Sequence, residues 1–151
     1  IIIFSIVLLD QLSKIWIKNN LHLYESISIM GDFFRFTFVE NPGIAFGISI
    51  GDFSKLVLIL SIIVIIFVIK EIINNRELHS SIGLAMIVGG AIGNLIDRVL
   101  VQIPIANYGG VVDFIDIGTS TFRWYTFNIA DSFVCIGMCL YLLLDKLDLS
   151  K

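Results

Sequence analysis

The sequence predicts an all-α membrane protein: four transmembrane helices whose connections form a small extracytoplasmic β-containing cap with a short interfacial segment. Three observations carry this expectation. Hydrophobic residues make up 57% of the 151 residues and charged residues 15%, against about 25% charged in a typical soluble domain, and mean hydropathy is +0.95. Four apolar runs recur at roughly the length that a bilayer core of ~30 Å demands, ~20 helical residues with ~17 as a lower limit. Between them, the first of two long connections alternates aromatic with polar side chains, the period of a half-buried strand. The length suits a single integral-membrane domain over residues 1–151.

The first span is expected at about 1–17. The chain opens on Ile1-Ile2-Ile3 with no initiator Met, which reads as a trimmed N-terminus. No small-residue cleavage site follows, so the run reads as an anchor rather than a removed signal peptide. Asp10 and Lys14 interrupt it at i, i+4 with the acid first, the favourable helical order. Each charge alone costs about 2.5–3.5 kcal/mol at a span's centre. A self-satisfying structural ion pair is the simpler reading, and Lys14 reaching a buried carbonyl or a substrate group is the sharper one.

The connection at about 19–54 holds the strand pattern, Phe33 to Glu40, followed by an Asn41-Pro42-Gly43 turn and a renewed apolar stretch, Ile44 to Ile48. The second span, at about 55–73, is flanked by Lys55 and Lys70, which can snorkel to the interfaces. The third, at about 82–101, carries Gly89-Gly90-Ala91-Ile92-Gly93-Asn94, small residues that let helix backbones approach. Asn94, Asp97 and Arg98 share one of its faces. Asn94 and Arg98 can donate to a carboxylate there, with Asp97 competing for Arg98; the alternative is helix–helix glue. The connection at about 102–126 contains Gly109-Gly110, a strand-like Val111-Val112 and interface aromatics Trp124-Tyr125. The fourth span is expected at about 127–145. Lys70, Arg76 and His79 between spans two and three, with Lys146 and Lys151 in the tail, favour a cytoplasmic placement of both by charge counting.

Asp113 and Asp131 are the leading candidates for chemistry. Both sit where an apolar segment meets a polar one, and two acids able to approach each other suffice for aspartic-type acid/base hydrolysis. Each has a plainer alternative. Asp131 at N3 of a helix capped by Asn128 makes a capping-box pattern, and Asp113, like Asp116 beside it, can be an ordinary surface acid. Other functions find less support. A net charge of −3 and a pI near 5.2 give no basic surface for nucleic acid. Cys135 and Cys139 read as small apolar packing residues rather than a disulfide or metal pair. His22 and His79 fall in different connections, which disfavours a His-based metal site or a Ser–His base. A small proton-coupled carrier using Asp10, Asp97 and Asp131, or a non-catalytic assembly factor, are the rival readings; the internal repeats common in carriers are not evident.

Five blocks follow in order: Asp10-Gln11-Leu12-Ser13-Lys14, Asn41-Pro42-Gly43-Ile44-Ala45-Phe46, Gly89 to Arg98, Val111-Val112-Asp113-Phe114 and Phe127-Asn128-Ile129-Ala130-Asp131. Together they resemble the lipoprotein signal peptidase (type II signal peptidase) family of bacteria. The resemblance covers essentially the whole chain, and the family's cytoplasmic N-terminal residues are missing from it. It implies an aspartic endopeptidase of the bacterial cytoplasmic (inner) membrane, with its active site at the extracytoplasmic face. The enzyme would cut diacylglyceryl-modified prolipoproteins just before the lipidated cysteine. It maps the catalytic dyad onto Asp113 and Asp131, and positions around the active site onto Asn94, Arg98, Asn128 and Ala130. Asn41 and Gly43 map to the platform near the substrate, and Asp10 and Lys14 to the span-one pair. Neither metal nor any other cofactor is implied, and the expected partners are lipid-modified prolipoproteins and membrane lipids. The Gly-x-Gly-Asp intramembrane proteases are a poorer match, since neither dyad aspartate follows Gly-x-Gly. The sequence is silent on oligomeric state and compatible with a monomer.

Overall fold

The computed structural model describes residues 1–43, 54–74 and 78–148. Its helices are α1 (Ile2–Asn20), α2 (Ser54–Asn74), α3 (Leu78–Val101) and α4 (Ile129–Asp148), and its strands are β1 (Ser26–Met30), β2 (Phe34–Asn41) and β3 (Val111–Ile117). A short 3-10 turn, Pro104–Ala106, follows α3. The molecule is therefore mostly helical with a small antiparallel sheet. The stretch Ile44 to Ile48 lies outside the described residues.

The third helix is the hub, packed against α1, α2 and α4. Its small residues make that possible. A Cβ on Gly93 would lie 2.6 Å from Asp10 Oδ2 and 3.2 Å from Ala130 Cβ, and one on Gly90 would overlap the Ala130 carbonyl oxygen. Glycine at both positions lets α1 and α4 close on α3 at backbone distance. The outer surfaces are apolar: Leu8, Leu12 and Trp16 on α1, and Ile59, Ile63 and Phe67 on α2, are exposed. Water would penalise such a belt, whereas lipid does not.

Among the described residues, two helices are long and apolar enough by themselves to cross a membrane, Lys55–Asn74 and Ser81–Val101. Helix α1 carries Asp10, Lys14 and Lys18, and the apolar part of α4, Ile129–Leu144, is shorter. Element ends differ slightly from the sequence expectation. The first helix extends to Asn20, whose side chain donates to the Trp16 carbonyl at 2.7 Å. The fourth begins two residues later than expected, because Asn128 is spent as its cap. Cys135 and Cys139 do not pack as expected: both are free and exposed. They lie two residues either side of Gly137, which faces Gly83 and Met86 of α3, and so turn away from the packed side.

The sheet has the order β1-β2-β3, antiparallel throughout. The expected strand at Phe33 to Glu40 is β2, and Val111-Val112 opens β3. Between Phe36 and Val39 the β2–β3 register shifts, so that Phe36 faces Ile115 but Val39 faces Asp113. The sheet is welded to the end of α1 by a core of Ile17, Leu21, Phe38, Val112 and Phe114. Phe36 adds edge-to-face contacts with Phe114 at 5.6 Å and Trp16 at 6.3 Å. This weld holds the start of β3 against the top of α1 and α3.

Candidate active site

The first turn of α4 supplies Asp131. Asn128 Oδ1 accepts from the Asp131 N–H at 2.9 Å, while Asp131 Oδ2 accepts from the Asn128 N–H at 3.2 Å. This is the capping box that the sequence suggested, with Asn128 completely buried. The cap does not exhaust Asp131, because its other oxygen, Oδ1, accepts from Asn94 Nδ2 of α3 at 2.7 Å.

Asp113 reaches the same place from β3. Its Oδ1 accepts from Asn128 Nδ2 at 2.7 Å and its Oδ2 from Asn41 Nδ2 at 3.2 Å. Asn41 is steadied in turn by the Gly43 N–H, which donates to its Oδ1 at 3.0 Å. Asp113 is 3% exposed. Burial, joined by the Asp131 carboxylate, pushes its pKa up to about 7, against the opposing pull of hydrogen bonds from Asn41 and Asn128 and the charge of Lys14. Asp113 is thus a carboxyl that can hold a proton near neutrality.

Behind the two acids lies a buried ionic cluster. Lys14 Nζ contacts Asp10 Oδ2 at 2.8 Å, Asp97 Oδ2 at 3.0 Å and Asn94 Oδ1 at 3.0 Å. The expected Asp10–Lys14 pair is present, and the sharper expectation for Lys14 holds in part: it reaches a buried amide carbonyl on α3. Asp97 does not compete for Arg98. It pairs with Lys14 and accepts from the Val112 N–H at 3.0 Å, because it lies 0% exposed where α3 meets β3 and α1. Asp10 Oδ1 accepts from the Ala130 N–H at 2.9 Å, tying α1 to the start of α4. Gln11 Nε2 bridges Asp10, Asp97 and the Gly93 carbonyl, each at 3.1 Å. The donor from Asn94 to a carboxylate is found as expected, whereas Arg98 donates to the Asn94 carbonyl at 3.2 Å.

Both aspartates line one cavity of about 570 Å³, together with Asn41, Asn94, Arg98 and the aromatics Trp124, Tyr125 and Phe127. A second cavity of about 290 Å³ meets Asp113, Asn41, Tyr125 and Thr126 from the side of Val39 and Glu40. Trp124 and Tyr125, read from sequence as interface aromatics, are therefore also walls of the site. Asp116 is not the surface acid expected. It is buried, accepting from Arg123 Nε at 2.7 Å and Thr37 Oγ1 at 2.7 Å. Sequence reasoning missed Gln11 and the Lys18–Glu40 ion pair at 2.5 Å, which holds the strand end beside Asn41. Residues 22 positions apart on a helix and a strand share no period that would reveal them. The geometry brings together Asp113, Asp131, Asn41, Asn94, Asn128 and Arg98; Gly43, Ala130, Asp10 and Lys14 support them from behind.

Comparison with known proteins is consistent across the whole chain. The family model for signal peptidase (SPase) II matches residues 2–146. The lipoprotein signal peptidase of Clostridioides difficile (strain 630) is 40% identical over 151 residues, covering 95% of this chain and 93% of that relative. The lipoprotein signal peptidase of Syntrophus aciditrophicus (strain SB) is 33% identical over 154 residues, covering 97% and 89%. A bacterial membrane enzyme solved by the in meso method at 2.3 Å resolution superposes with a TM-score of 0.85 at 32% identity, covering 99% of this chain and 87% of that one.

Proposed function

This chain belongs to the signal peptidase II family, and from that premise we propose that it cleaves the signal peptide from diacylglyceryl-modified prolipoproteins immediately before the lipidated cysteine, with Asp113 and Asp131 as an aspartic dyad. The observation that carries the aspartic reading is the convergence of both carboxyls on one cavity, where buried Asn128 donates to each, from its side-chain amide to Asp113 and from its backbone N–H to Asp131. Two carboxyls in such proximity do not both ionise cheaply, so they share a proton. The ionised acid takes a proton from a water molecule lying between them, and that water attacks the scissile carbonyl. The protonated acid hydrogen-bonds the carbonyl oxygen as negative charge develops, then helps protonate the leaving amine.

All of 1–151 is one peptidase domain. Helices α1 and α4 join α2 and α3 as spans, the charges of α1 being absorbed in its contacts with α3 rather than offered to lipid. The sheet side is extracytoplasmic and the membrane is the bacterial inner membrane. The apolar walls of the larger cavity, Val111, Phe127 and Val134, accept the signal helix and acyl chains, so that lipid modification is part of what is recognised. A carrier role fits less well, since Asp10 and Asp97 are both committed to Lys14.

The test is cleavage of a lipid-modified precursor by purified protein. Asp113→Asn and Asp131→Asn should each abolish it while leaving a folded, membrane-inserted protein. Retained cleavage in either variant removes the dyad. Equal cleavage of unlipidated and lipidated precursors removes the lipid-recognition part alone.

A further inference from the structure

The ladder between β2 and β3 ends at Asn41, and side chains take over from it there. Glu40 pairs with Val112 and Asn41 with Val111, the last pair before Pro42, which has no N–H to continue the ladder. A knot of contacts closes over this end. Lys18 Nζ from α1 contacts Glu40 Oε1 at 2.5 Å and donates to the Asn107 carbonyl at 3.1 Å. The other carboxylate oxygen, Glu40 Oε2, accepts from the Gly109 N–H at 2.9 Å. The ammonium also lies 4.0 Å from the centre of the Tyr108 ring, a cation–π contact.

Three pieces of chain meet in this knot: the end of α1, the end of β2, and the loop 107–110 that leads into β3. They are drawn to backbone distance, since a Cβ on Gly110 would lie 2.4 Å from the Asn41 carbonyl carbon. Both charged side chains are mostly buried, Lys18 19% and Glu40 15% exposed, so the pair is shielded from the solvent that weakens ordinary surface bridges. Next to Glu40 is Asn41, which donates to Asp113 Oδ2 at 3.2 Å, its amide oriented by the Gly43 N–H at 3.0 Å. The Gly43 contact turns that amide; it does not fix how far the strand end stands from β3. Glu40 and Asn41 both line the smaller cavity with Asp113.

We propose that Lys18 and Glu40 are positioning residues for the reaction: they clamp the loop ahead of β3 to the end of β2, and thereby keep the Asn41 amide within hydrogen-bond reach of Asp113. The inference rests on the dyad reading and adds what sets the distance of one of its donors. That distance matters because a reacting carboxyl that loses a donor loses part of its orientation with it. At 3.2 Å the contact from Asn41 is already at the long end of N–H···O distances, so a small outward drift of the strand end breaks it. Asn128, the other donor to Asp113, stands at the start of α4 and is not part of the clamp.

The test is a mutational cycle read by cleavage of the lipid-modified precursor. Lys18→Met should leave KM little altered while kcat falls about tenfold, the effect of losing one hydrogen bond to a charged group. Lys18→Arg, which keeps donors for Glu40 and for the Asn107 carbonyl, should restore most of the rate. Glu40→Gln, whose single amide oxygen can serve Lys18 or the Gly109 N–H but not both, carries the same comparison with a milder change. In an Asn41→Ala background the amide is already gone, and Lys18→Met should then lower kcat by about twofold at most. A folded Lys18→Met or Glu40→Gln protein that cleaves at the unmodified rate overturns the proposal. So does an equal loss of kcat with and without the Asn41 amide, which would make the clamp a general support of the fold. Failure of the dyad reading registers separately, as cleavage surviving in Asp113→Asn or Asp131→Asn.

Discussion

Replacing Asp113 by Asn should flatten a pH dependence of stability that the unmodified protein carries. The folded protein holds the Asp113 proton up to about pH 7, against an ordinary carboxyl value of 3.8. Between those values the folded state binds more protons than the unfolded one, so stability falls as pH rises. The contribution is fully present below the unfolded pKa and gone once pH has passed through the folded one. About three units at ~1.36 kcal/mol each gives about 4 kcal/mol across the whole window, and about 2 kcal/mol of it lies between about pH 5.5 and about pH 8.5. With the side chain 3% exposed, solvent screening removes little. For a domain of this size that is a fall of roughly 4–8 °C in melting temperature. The assay is thermal unfolding of detergent-solubilised protein at those two pH values, in parallel with Asp113→Asn, which has nothing to ionise at that position. If the two proteins lose the same stability over that range, Asp113 does not hold its proton near neutrality, and its role as the acid of the pair fails with it.

Lys14→Met should destabilise by about 3–5 kcal/mol, because it leaves Asp10 and Asp97 as buried, unbalanced charges; a melting temperature close to that of the unmodified protein would contradict this. Gly90→Val places side-chain atoms where the Ala130 carbonyl and Val134 already lie, and should cost about 1–3 kcal/mol by overpacking, read as loss of melting temperature. Asn128→Ala removes a helix cap of about 1 kcal/mol together with the donor to Asp113. Its cleavage rate should therefore fall far more than its stability, and equal losses in both would reduce Asn128 to a cap. Arg123→Ala breaks a pair with the buried Asp116, outside the lining of either cavity, and should leave cleavage nearly unchanged in a rate assay.

The four helices were legible because each is an apolar run with a polar end, and the meeting of Asp113 and Asp131 at one cavity because each sits in an ordered block. Strand β1 was not legible: all five of its residues are exposed, so burial imposes no pattern beyond its pairing with β2. The destinations of Asp97 and Asp116 were equally hidden. Asp97 is claimed by a backbone N–H of β3 and a lysine of α1, and neither a backbone donor nor a contact between helices leaves a trace in local spacing. Lys14 is instructive in the other direction. Its i, i+4 pairing with Asp10 was readable, and its contact with the Asn94 amide oxygen was only a possibility until α1 and α3 were seen side by side.

Asn128 caps α4 with one end of its amide and holds Asp113 with the other. Fraying of the first helical turn, ordinarily the least protected part of any helix, therefore breaks the site apart at the same moment. Amide hydrogen exchange at Asp131 and Ser132, whose N–H groups bond back to Asn128, becomes a clock for how often the site comes undone. A ligand that grips Asp113 should slow that clock although it touches neither amide.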